Sequence, residues 1–306
     1  MSHHEAETVC AQPKRRGRCG VRLTAAPAAV ALLGLALMVV SCTSVLDRGT
    51  SSGDTSVTVI ATASPTPTAT PVAFVPLTAP DMPGYRLVFS DEFVGPKLNS
   101  KRWATALPWG STTLREDQHY TPDAITQNGG VLTITASKQA SPDKPYASGV
   151  VSSLDRFSFS YGYAEARMQV PAGAGLWSAF WLLSPLAKSH DEIDIVEVIG
   201  SDPRKAYTVL HYGTTAIDGK SLGVYQGPDL SAGFHTFAVD WEPEHIVWYV
   251  DGVERYRVSE NVPSAPMIVI ANLAVGGKNS WSGPPDRYTE FPAQLKIDYI
   301  RVFQRN

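Results

Sequence analysis

Carboxylates are concentrated in one short segment of the sequence, residues 191–200 (DEIDIVEVIG). The segment carries Asp191, Glu192, Asp194 and Glu197, and apart from its final glycine its other residues are all β-branched. Such residues favour a strand, and in a regular strand Glu192 and Asp194 share a face that Glu197 does not. One β-bulge after Asp194 would bring Glu197 onto that face. The segment therefore predicts a strand that presents three acids to one side.

Three acids on one face could cleave glycosidic bonds. With the bulge, the backbones of Glu192 and Glu197 lie about four rungs apart, or about 13 Å at about 3.3 Å per residue. If each of the two side chains leans about 4 Å toward the other, the carboxyl groups lie about 5 Å apart, as in retaining glycosidases. One group, ionised, would attack the anomeric carbon, while the other, protonated, would donate its proton to the leaving oxygen. An exposed acidic edge strand and a metal cluster are the alternative interpretations.

The elements that must position these acids are strands. Val131–Ala136 alternates apolar and hydroxyl side chains with a period of two. Ile246–Val258 is predicted to be a hairpin, because Asp251 and the glycine after it suit a tight two-residue turn. Leu295–Phe303 is predicted to be a last strand. No long helical period occurs, and the motifs of nucleotide-binding, zincin and serine-hydrolase sites are absent. We therefore predict one all-β domain over residues 81–306.

The first 41 residues have the pattern of an export signal. The first 22 residues carry five basic and two acidic side chains, and Leu23–Ser41 is uncharged and apolar. The run ends in VVSC, which resembles a bacterial lipobox with Cys42 as the lipid-bearing residue. We predict a lipoprotein-type signal peptide over residues 1–41, lipidation at Cys42 and a membrane-tethered location outside the cytoplasm. An uncleaved anchor is the alternative, since about 20 apolar residues span a bilayer.

Residues 42–80 are predicted to be a tether, because they are rich in Ser, Thr, Pro and Ala. Cys10, Cys19 and Cys42 are the only cysteines, so disulfides and cysteine-bound zinc are excluded from the folded domain. The net charge is −3 overall and −6 beyond residue 22, whereas a nucleic-acid-binding protein usually has the opposite sign. We expect a monomer that needs no cofactor for catalysis.

The carboxylate segment belongs to a wider resemblance. EIDIVE resembles the ExDxxE signature of the bulged, laminarinase-like branch of glycoside hydrolase family 16, which also includes agarases and carrageenases. Further segments resemble that family in the same order: FSDEF at 89–93, YGYAEARM at 161–168, GLWSAFW at 175–181, HYG at 211–213, FHTF at 234–237, NLAVGG at 272–277 and IDYIRV at 297–302. Together they span nearly all of residues 86–303.

The resemblance implies a jelly-roll sandwich of two curved antiparallel sheets, with a substrate cleft across the concave face. It implies that Glu192 is the nucleophile, Asp194 the assisting acid and Glu197 the general acid/base of a retaining endo-β-glycanase acting on β-1,3-glucan. An agarase-like galactan hydrolase, a transglycosylase and a non-enzymatic carbohydrate-binding jelly roll are the alternatives. The acidic charge disfavours a sulfated polymer.

The resemblance also implies residues that bind sugar. Trp177 and His211 fall near the expected cleavage point, and Trp109 and Trp281 are expected to be platforms at the cleft rim. Trp181 is expected in the core. The sequence departs from many relatives at three places: Val150 replaces an Arg, Ser178 replaces a Pro, and Ser189 and His190 stand where a Trp is common. These departures predict an altered shape of the donor subsites.

A structural calcium ion on the convex side is a further implication of the resemblance. Glu92, the Gly130 carbonyl and Asp298 stand at matching positions. The ion would tie the first strand to the last in a domain without disulfides. The alternative is that Asp298 caps a strand end without a metal.

Overall fold

The computed structural model describes residues 82–139, 143–185, 191–214 and 217–306. The predicted signal peptide, Cys42 and the tether lie outside these residues, so their assignments stay predictions. No helix in the described part of the chain is long and apolar enough to cross a membrane.

Strands make up almost all the regular structure of these residues, and the exception is a 3-10 turn at Pro122–Ala124. Numbered along the chain, the strands of an eight-stranded sheet are β1 (Tyr85–Asp91), β3 (Ile125–Asn128), β4 (Val131–Ala136), β7 (Gly162–Gln169), β12 (His235–Glu242), β13 (His245–Val250), β14 (Val253–Val258) and β16 (Ala293–Arg305). A six-stranded sheet consists of β6 (Val150–Ser152), β8 (Leu176–Leu183), β9 (Glu192–Ile199), β10 (Lys205–Thr214), β11 (Ile217–Gln226) and β15 (Ile268–Val275). A short parallel pair is formed by β2 (Gln118–Tyr120) and β5 (Tyr146–Ser148).

The acid-bearing strand β9 lies inside the six-stranded sheet. The strand order there is β11-β10-β9-β8-β15-β6, and every neighbouring pair is antiparallel. The larger sheet has the order β14-β13-β12-β7-β16-β4-β3, and β1 also pairs with β16. Because β8 and β10 flank β9, its backbone is fixed on both sides and its side chains are held in register.

One apolar core joins the two sheets face to face. Its buried side chains include Phe180, Ile193 and Leu273 from the smaller sheet and Phe237, Trp248 and Ile297 from the larger. A second, smaller cluster containing Val150, Ala179 and Trp181 covers the other face of the six-stranded sheet. The predicted all-β jelly-roll sandwich is confirmed, and its acid-bearing sheet is packed on both faces.

The predicted hairpin turn is present between β13 and β14. Asp251 and Gly252 have φ angles of 51° and 71°, as a tight turn with two left-handed residues requires. The Asp251 carboxylate also accepts hydrogen bonds from the Thr236 backbone N–H at 3.0 Å and pairs with His235 Nδ1 at 2.8 Å. Asp251 is thus a turn residue that ties the hairpin to β12.

Candidate active site

The bulge predicted in the acid-bearing strand is present in β9. Asp194 pairs with Trp181 of β8 and Val196 pairs with Phe180, so Ile195 is an extra residue. As a result, the three acids lie opposite alternate residues of β8: Glu192 opposite Leu183, Asp194 opposite Trp181 and Glu197 opposite Ala179. All three acids therefore share one face of the sheet.

A buried tryptophan of the opposite sheet supports the bulge. Trp248 lies in β13, is fully buried, and donates from Nε1 to the carbonyl oxygen of Asp194 at 2.9 Å. The bulge interrupts the ladder at this point, and a buried carbonyl that loses its ladder partner needs another donor. Packing between the two sheets thus stabilises the irregular backbone that aligns the acids.

The acids face a cleft with an inner and an outer part. The inner part is lined by the three acids together with Leu107, Tyr120, Ala179, Trp181, Asn272 and Ala274. The outer part is lined by Thr112, Leu114, Arg115, Ser280 and Trp281. Trp109, Thr113, Glu116 and Trp177 line both parts. The cleft is therefore continuous from the acids to the outer loops.

All three acids have raised pKa values. Burial, reinforced by the Asp194 charge, raises the pKa of Glu192 to about 8, while His211 acts in the opposite direction. Burial raises the pKa of Asp194 to about 8. Burial and the charges of Asp194 and Glu192 raise the pKa of Glu197 well above its usual range, against a hydrogen bond from Trp177. The cluster therefore retains at least one proton at neutral pH.

The cluster can hold one ionised and one protonated glutamate. The side chain of Glu192 is 28% exposed and that of Asp194 is 5% exposed, so water stabilises a charge best on Glu192. Besides burial, the Asp194 charge raises the pKa of Glu192, so a proton on Asp194 removes this second cause and makes Glu192 easier to ionise. Glu197, whose pKa is raised by both neighbouring acids, keeps its proton.

Trp177 and His211 contact the acids. Trp177 Nε1 donates to Glu197 Oε1 at 3.0 Å, so the acidic proton of Glu197 belongs on Oε2. His211 Nε2 lies 3.4 Å from Asp194 Oδ2 and 3.8 Å from Glu192 Oε1. The ligand atoms of Glu192, Asp194 and His211 lie within 4.8 Å of one another. The geometry by itself is therefore compatible with the metal-cluster interpretation as well.

Trp109 and Trp281 lie at the cleft rim, 55% and 51% exposed. The Trp281 ring packs edge-on against Trp177 at 5.5 Å, and the Trp109 ring lies 6.3 Å from Trp181. Their contact with sugar stays a prediction. Trp181 is a core residue, as expected: its ring is buried in the smaller hydrophobic cluster, which lies on the cleft side of the sheet, opposite Asp194. It lies on this side because Trp177 and Trp181 are four residues apart in one strand and share a face.

The sequence motifs do not identify a polar network in the cleft wall. Trp181 Nε1 donates to Asn272 Oδ1 at 2.8 Å, and Asn272 Nδ2 donates to the Tyr120 hydroxyl at 3.0 Å. The Tyr120 hydroxyl donates to Glu116 Oε2 at 3.4 Å. The available signals are the period-two spacing of Glu116, Gln118 and Tyr120 and the position of Asn272 at the start of NLAVGG.

Two of the departures from the family pattern lie in the six-stranded sheet. Val150 is fully buried in the small cluster beneath the cleft, beside Trp181. Ser178 is 2% exposed in β8. An apolar side chain thus fills the position where many relatives carry an Arg. Ser189 and His190 lie outside the described residues.

The residues predicted to bind calcium are engaged with arginines. Arg301 donates to both carboxylate oxygens of Glu92, at 2.8 and 2.7 Å, and Arg167 donates to Asp298 at 2.6 Å. Gly130 approaches the Glu92 backbone, since a Cβ at Gly130 would lie 3.8 Å from the Glu92 carbonyl oxygen. As arranged, the two carboxylates do not fit a calcium ion, because their charges are already neutralised. The calcium ion stays a prediction that requires at least one arginine to move.

Comparison with known proteins separates the chemical interpretations of the acid cluster. The family model described as "Glycosyl hydrolases family 16" matches residues 114–301, more than half of the chain. "Glucan endo-1,3-beta-glucosidase A1" from Niallia circulans is 31% identical over an alignment that covers 74% of this chain and 39% of that protein. "Beta-glucanase" from Rhodothermus marinus is 33% identical, with coverages of 72% and 86%. This chain therefore spans well under half the length of the first relative and most of the second.

A solved structure agrees with the sequence relatives. The endo-beta-1,3-glucanase from Pyrococcus furiosus is 31% identical and superimposes with a TM-score of 0.66 over 72% of this chain and 95% of that one. The family-model match over residues 114–301 includes β9, the strand that carries the three acids, which favours glycosidic chemistry over a metal cluster or an inert acidic edge. The chain belongs to glycosyl hydrolases family 16.

Proposed function

We propose that this chain is a retaining endo-β-1,3-glucanase in which Glu192 is the nucleophile, Asp194 assists it and Glu197 is the general acid/base. The observation that carries the proposal is the bulge in β9, which aligns three acids of unequal exposure on one wall of the cleft. The names of the relatives from Niallia circulans and Pyrococcus furiosus support the β-1,3 linkage.

The first chemical step uses the unequal protonation of the two glutamates. The Glu192 carboxylate attacks the anomeric carbon while Glu197 Oε2 delivers its proton to the glycosidic oxygen. The bond between the anomeric carbon and that oxygen breaks, and the chain on the leaving side departs as an alcohol. The sugar remains on Glu192 as an ester. The Asp194 proton stabilises the carboxyl oxygens of Glu192 while the negative charge of Glu192 is lost.

The second step reverses these roles. Glu197, now ionised, removes a proton from a water molecule whose oxygen attacks the anomeric carbon. The ester bond breaks and Glu192 regains its negative charge. Because the configuration is inverted twice, the product keeps the β-configuration. The Trp177 hydrogen bond to Glu197 Oε1 holds the same oxygen, Oε2, in place for both proton transfers.

Product analysis on a panel of polymers tests the proposed substrate. The full chain would be incubated with laminarin, lichenan, agarose and carrageenan, and the products would be identified by mass spectrometry. We expect short oligosaccharides of mixed length from laminarin. Clean release from agarose without action on laminarin would overturn the linkage while leaving the mechanism intact, and products longer than the substrate would identify a transglycosylase.

Substrates with different leaving groups test the role of Glu197. Glu197→Ala should lose activity on laminarin but retain cleavage of an activated aryl β-glucoside oligomer, because that leaving group needs no proton. The matched control is Glu244→Ala, an exposed residue between β12 and β13, which should change neither rate. Equal losses of Glu197→Ala on both substrates would contradict the acid role.

We also propose that the catalytic domain is held outside the cytoplasm by a lipid on Cys42. The support is the basic, apolar and VVSC order of the first 42 residues. Growth with a labelled fatty acid should label the wild-type chain, and Cys42→Ala should lose the label. Cys19→Ala, which changes a cysteine before the apolar run, is the matched control and should retain it. Unchanged labelling of Cys42→Ala would overturn the proposal.

A further inference from the structure

The wall of the cleft carries a fourth carboxylate, Glu116. It lines both the inner and the outer part of the cleft. Its Oε2 accepts hydrogen bonds from Gln118 Nε2 at 2.5 Å and from the Tyr120 hydroxyl at 3.4 Å. Gln118 and Tyr120 are buried, 0% and 2% exposed, so they fix the orientation of the Glu116 carboxylate.

The other oxygen of this carboxylate is open. Within the described part of the chain, Glu116 Oε1 makes no hydrogen bond or ion pair, and the residue is partly exposed. The nearby Lys144 ammonium donates to the backbone carbonyls of Thr113 and Glu116 and does not line the cleft. An oriented carboxylate with one open acceptor position is suited to a sugar hydroxyl.

The surroundings of Glu116 are acidic. It shares the inner cleft with Glu192, Asp194 and Glu197, and Arg115 in the outer part is the one basic residue among the described residues that line the cleft. A glycan that extends from the acids to the outer part crosses the junction that Glu116 lines together with Trp109, Thr113 and Trp177. A sulfate, uronate or carboxymethyl group at that position would face a like charge in a partly desolvated site, where repulsion is stronger than in water.

The position of Glu116 is also connected to the reaction centre. The hydrogen bonds of Tyr120 and Asn272 lead from Glu116 to Trp181, whose backbone pairs with Asp194. Glu116 also lines the same inner part of the cleft as the three acids, so selection at Glu116 acts on a glycan that is bound over them.

We propose that Glu116 is a specificity-determining residue that accepts a hydrogen bond from a neutral sugar and excludes glycans with an anionic group at that position. The inference deepens the proposed function, on which it rests for the identity of the polymer. The proposed selection is by charge, so measurements of glycan binding can test it without catalysis.

A charge-neutral variant tests the proposal. Glu116→Gln keeps the size and an oxygen acceptor for Tyr120 and Gln118 but removes the charge. The ratio of kcat/KM for carboxymethylated β-1,3-glucan to kcat/KM for laminarin should rise about tenfold at low salt, which corresponds to about 1.4 kcal/mol. The gain should shrink near 1 M salt, where the screening length is about 3 Å. Glu244→Gln, with the same charge change outside the cleft, should leave the ratio unchanged.

A readout without catalysis separates this inference from the proposed function. In a Glu192→Gln background, retardation in gels that contain each polymer would give the two binding affinities with and without Glu116→Gln. A selective gain for the carboxymethylated polymer supports charge selection even if the wild type fails to cleave laminarin. Equal changes for both polymers, or the same change in Glu244→Gln, would overturn the role of Glu116.

Discussion

Glu165 in the eight-stranded sheet and Asp194 in the six-stranded sheet are both buried carboxyl groups, but their surroundings differ. Glu165 in β7 is 1% exposed and accepts hydrogen bonds from the hydroxyls of Tyr163 and Tyr299, at 3.0 and 2.7 Å, one on each carboxylate oxygen. Asp194 in β9 is 4% exposed, and its Oδ2 accepts no hydrogen bond from the described residues. Burial raises the pKa of both groups, but the tyrosines oppose the rise only at Glu165.

The difference distinguishes a structural carboxylate from one kept for chemistry. Donors on both oxygens of Glu165 compensate for its loss of hydration, so that group stabilises the fold. Asp194 is placed instead beside Glu192 and Glu197, and its charge raises the pKa of both of them. A buried acid that has one oxygen without a hydrogen bond and two acidic neighbours costs stability, and such a cost is typical of groups kept for proton transfer.

The largest effect is expected at the nucleophile. Glu192→Gln should reduce kcat on laminarin by about 10⁴-fold or more, because the amide cannot attack the anomeric carbon. Glu192→Ala with added azide should form an α-glycosyl azide, identified by NMR. Appreciable normal turnover by either variant would show that another residue is the nucleophile.

The opposite outcome is expected at the structural acid. Glu165→Ala should lower the free energy of unfolding by about 3 kcal/mol, because it leaves two buried tyrosine hydroxyls without an acceptor. The kcat of the folded variant should be unchanged. Urea denaturation measures the loss, with Glu254→Ala as a control, since the exposed ion pair of Glu254 with Arg257 contributes little to stability. If Glu165→Ala lost activity but kept its full stability, Glu165 would not be a structural acid and the distinction between Glu165 and Asp194 would be wrong.

The stability of the acid cluster should depend on pH. The folded pKa of Glu192, about 8, exceeds its ordinary value of 4.5, so the folded state binds this proton more tightly than the unfolded state. The resulting stability is present at low pH and is lost as the pH rises from about 4.5 to about 8. Glu192→Gln, which has no carboxyl group to ionise, should therefore gain melting temperature relative to the wild type as the pH rises from 5 to 8. A constant difference would contradict the raised pKa.

The smallest effect concerns the calcium prediction. If calcium binds, melting in calcium should exceed melting in EDTA by roughly 2–4 °C. Arg167→Gln, which frees the Asp298 carboxylate, should enlarge that difference. If the wild type and Arg167→Gln each melted identically in calcium and in EDTA, the calcium prediction would be wrong. Glu92 and Asp298 would then serve only as partners of the arginines.

The local features of the site could be predicted from the sequence. β-Branched residues and acid spacing predict the strand and its bulge, and Asp251 predicts the turn, because each depends on neighbouring residues. The sequence also predicts which face of its strand Trp181 occupies, because residues four apart in a strand share a face and Trp177 faces the cleft.

The partners of the acids could not be predicted in the same way. Asn272 meets Tyr120 across 152 positions, and Glu165 meets Tyr299 across 134. Such contacts depend on which strands become neighbours, and no local pattern encodes that choice. The Trp248 hydrogen bond to the bulge likewise requires knowledge of how the two sheets pack.

The stereochemistry of the first product tests the central claim most directly. Proton NMR during hydrolysis of laminarin by the full chain would follow the new reducing ends before mutarotation. If Glu192 forms a covalent intermediate and Glu197 transfers the protons, the first signals should be those of the β-anomer. Initial appearance of the α-anomer would contradict the retaining mechanism and the roles of both glutamates.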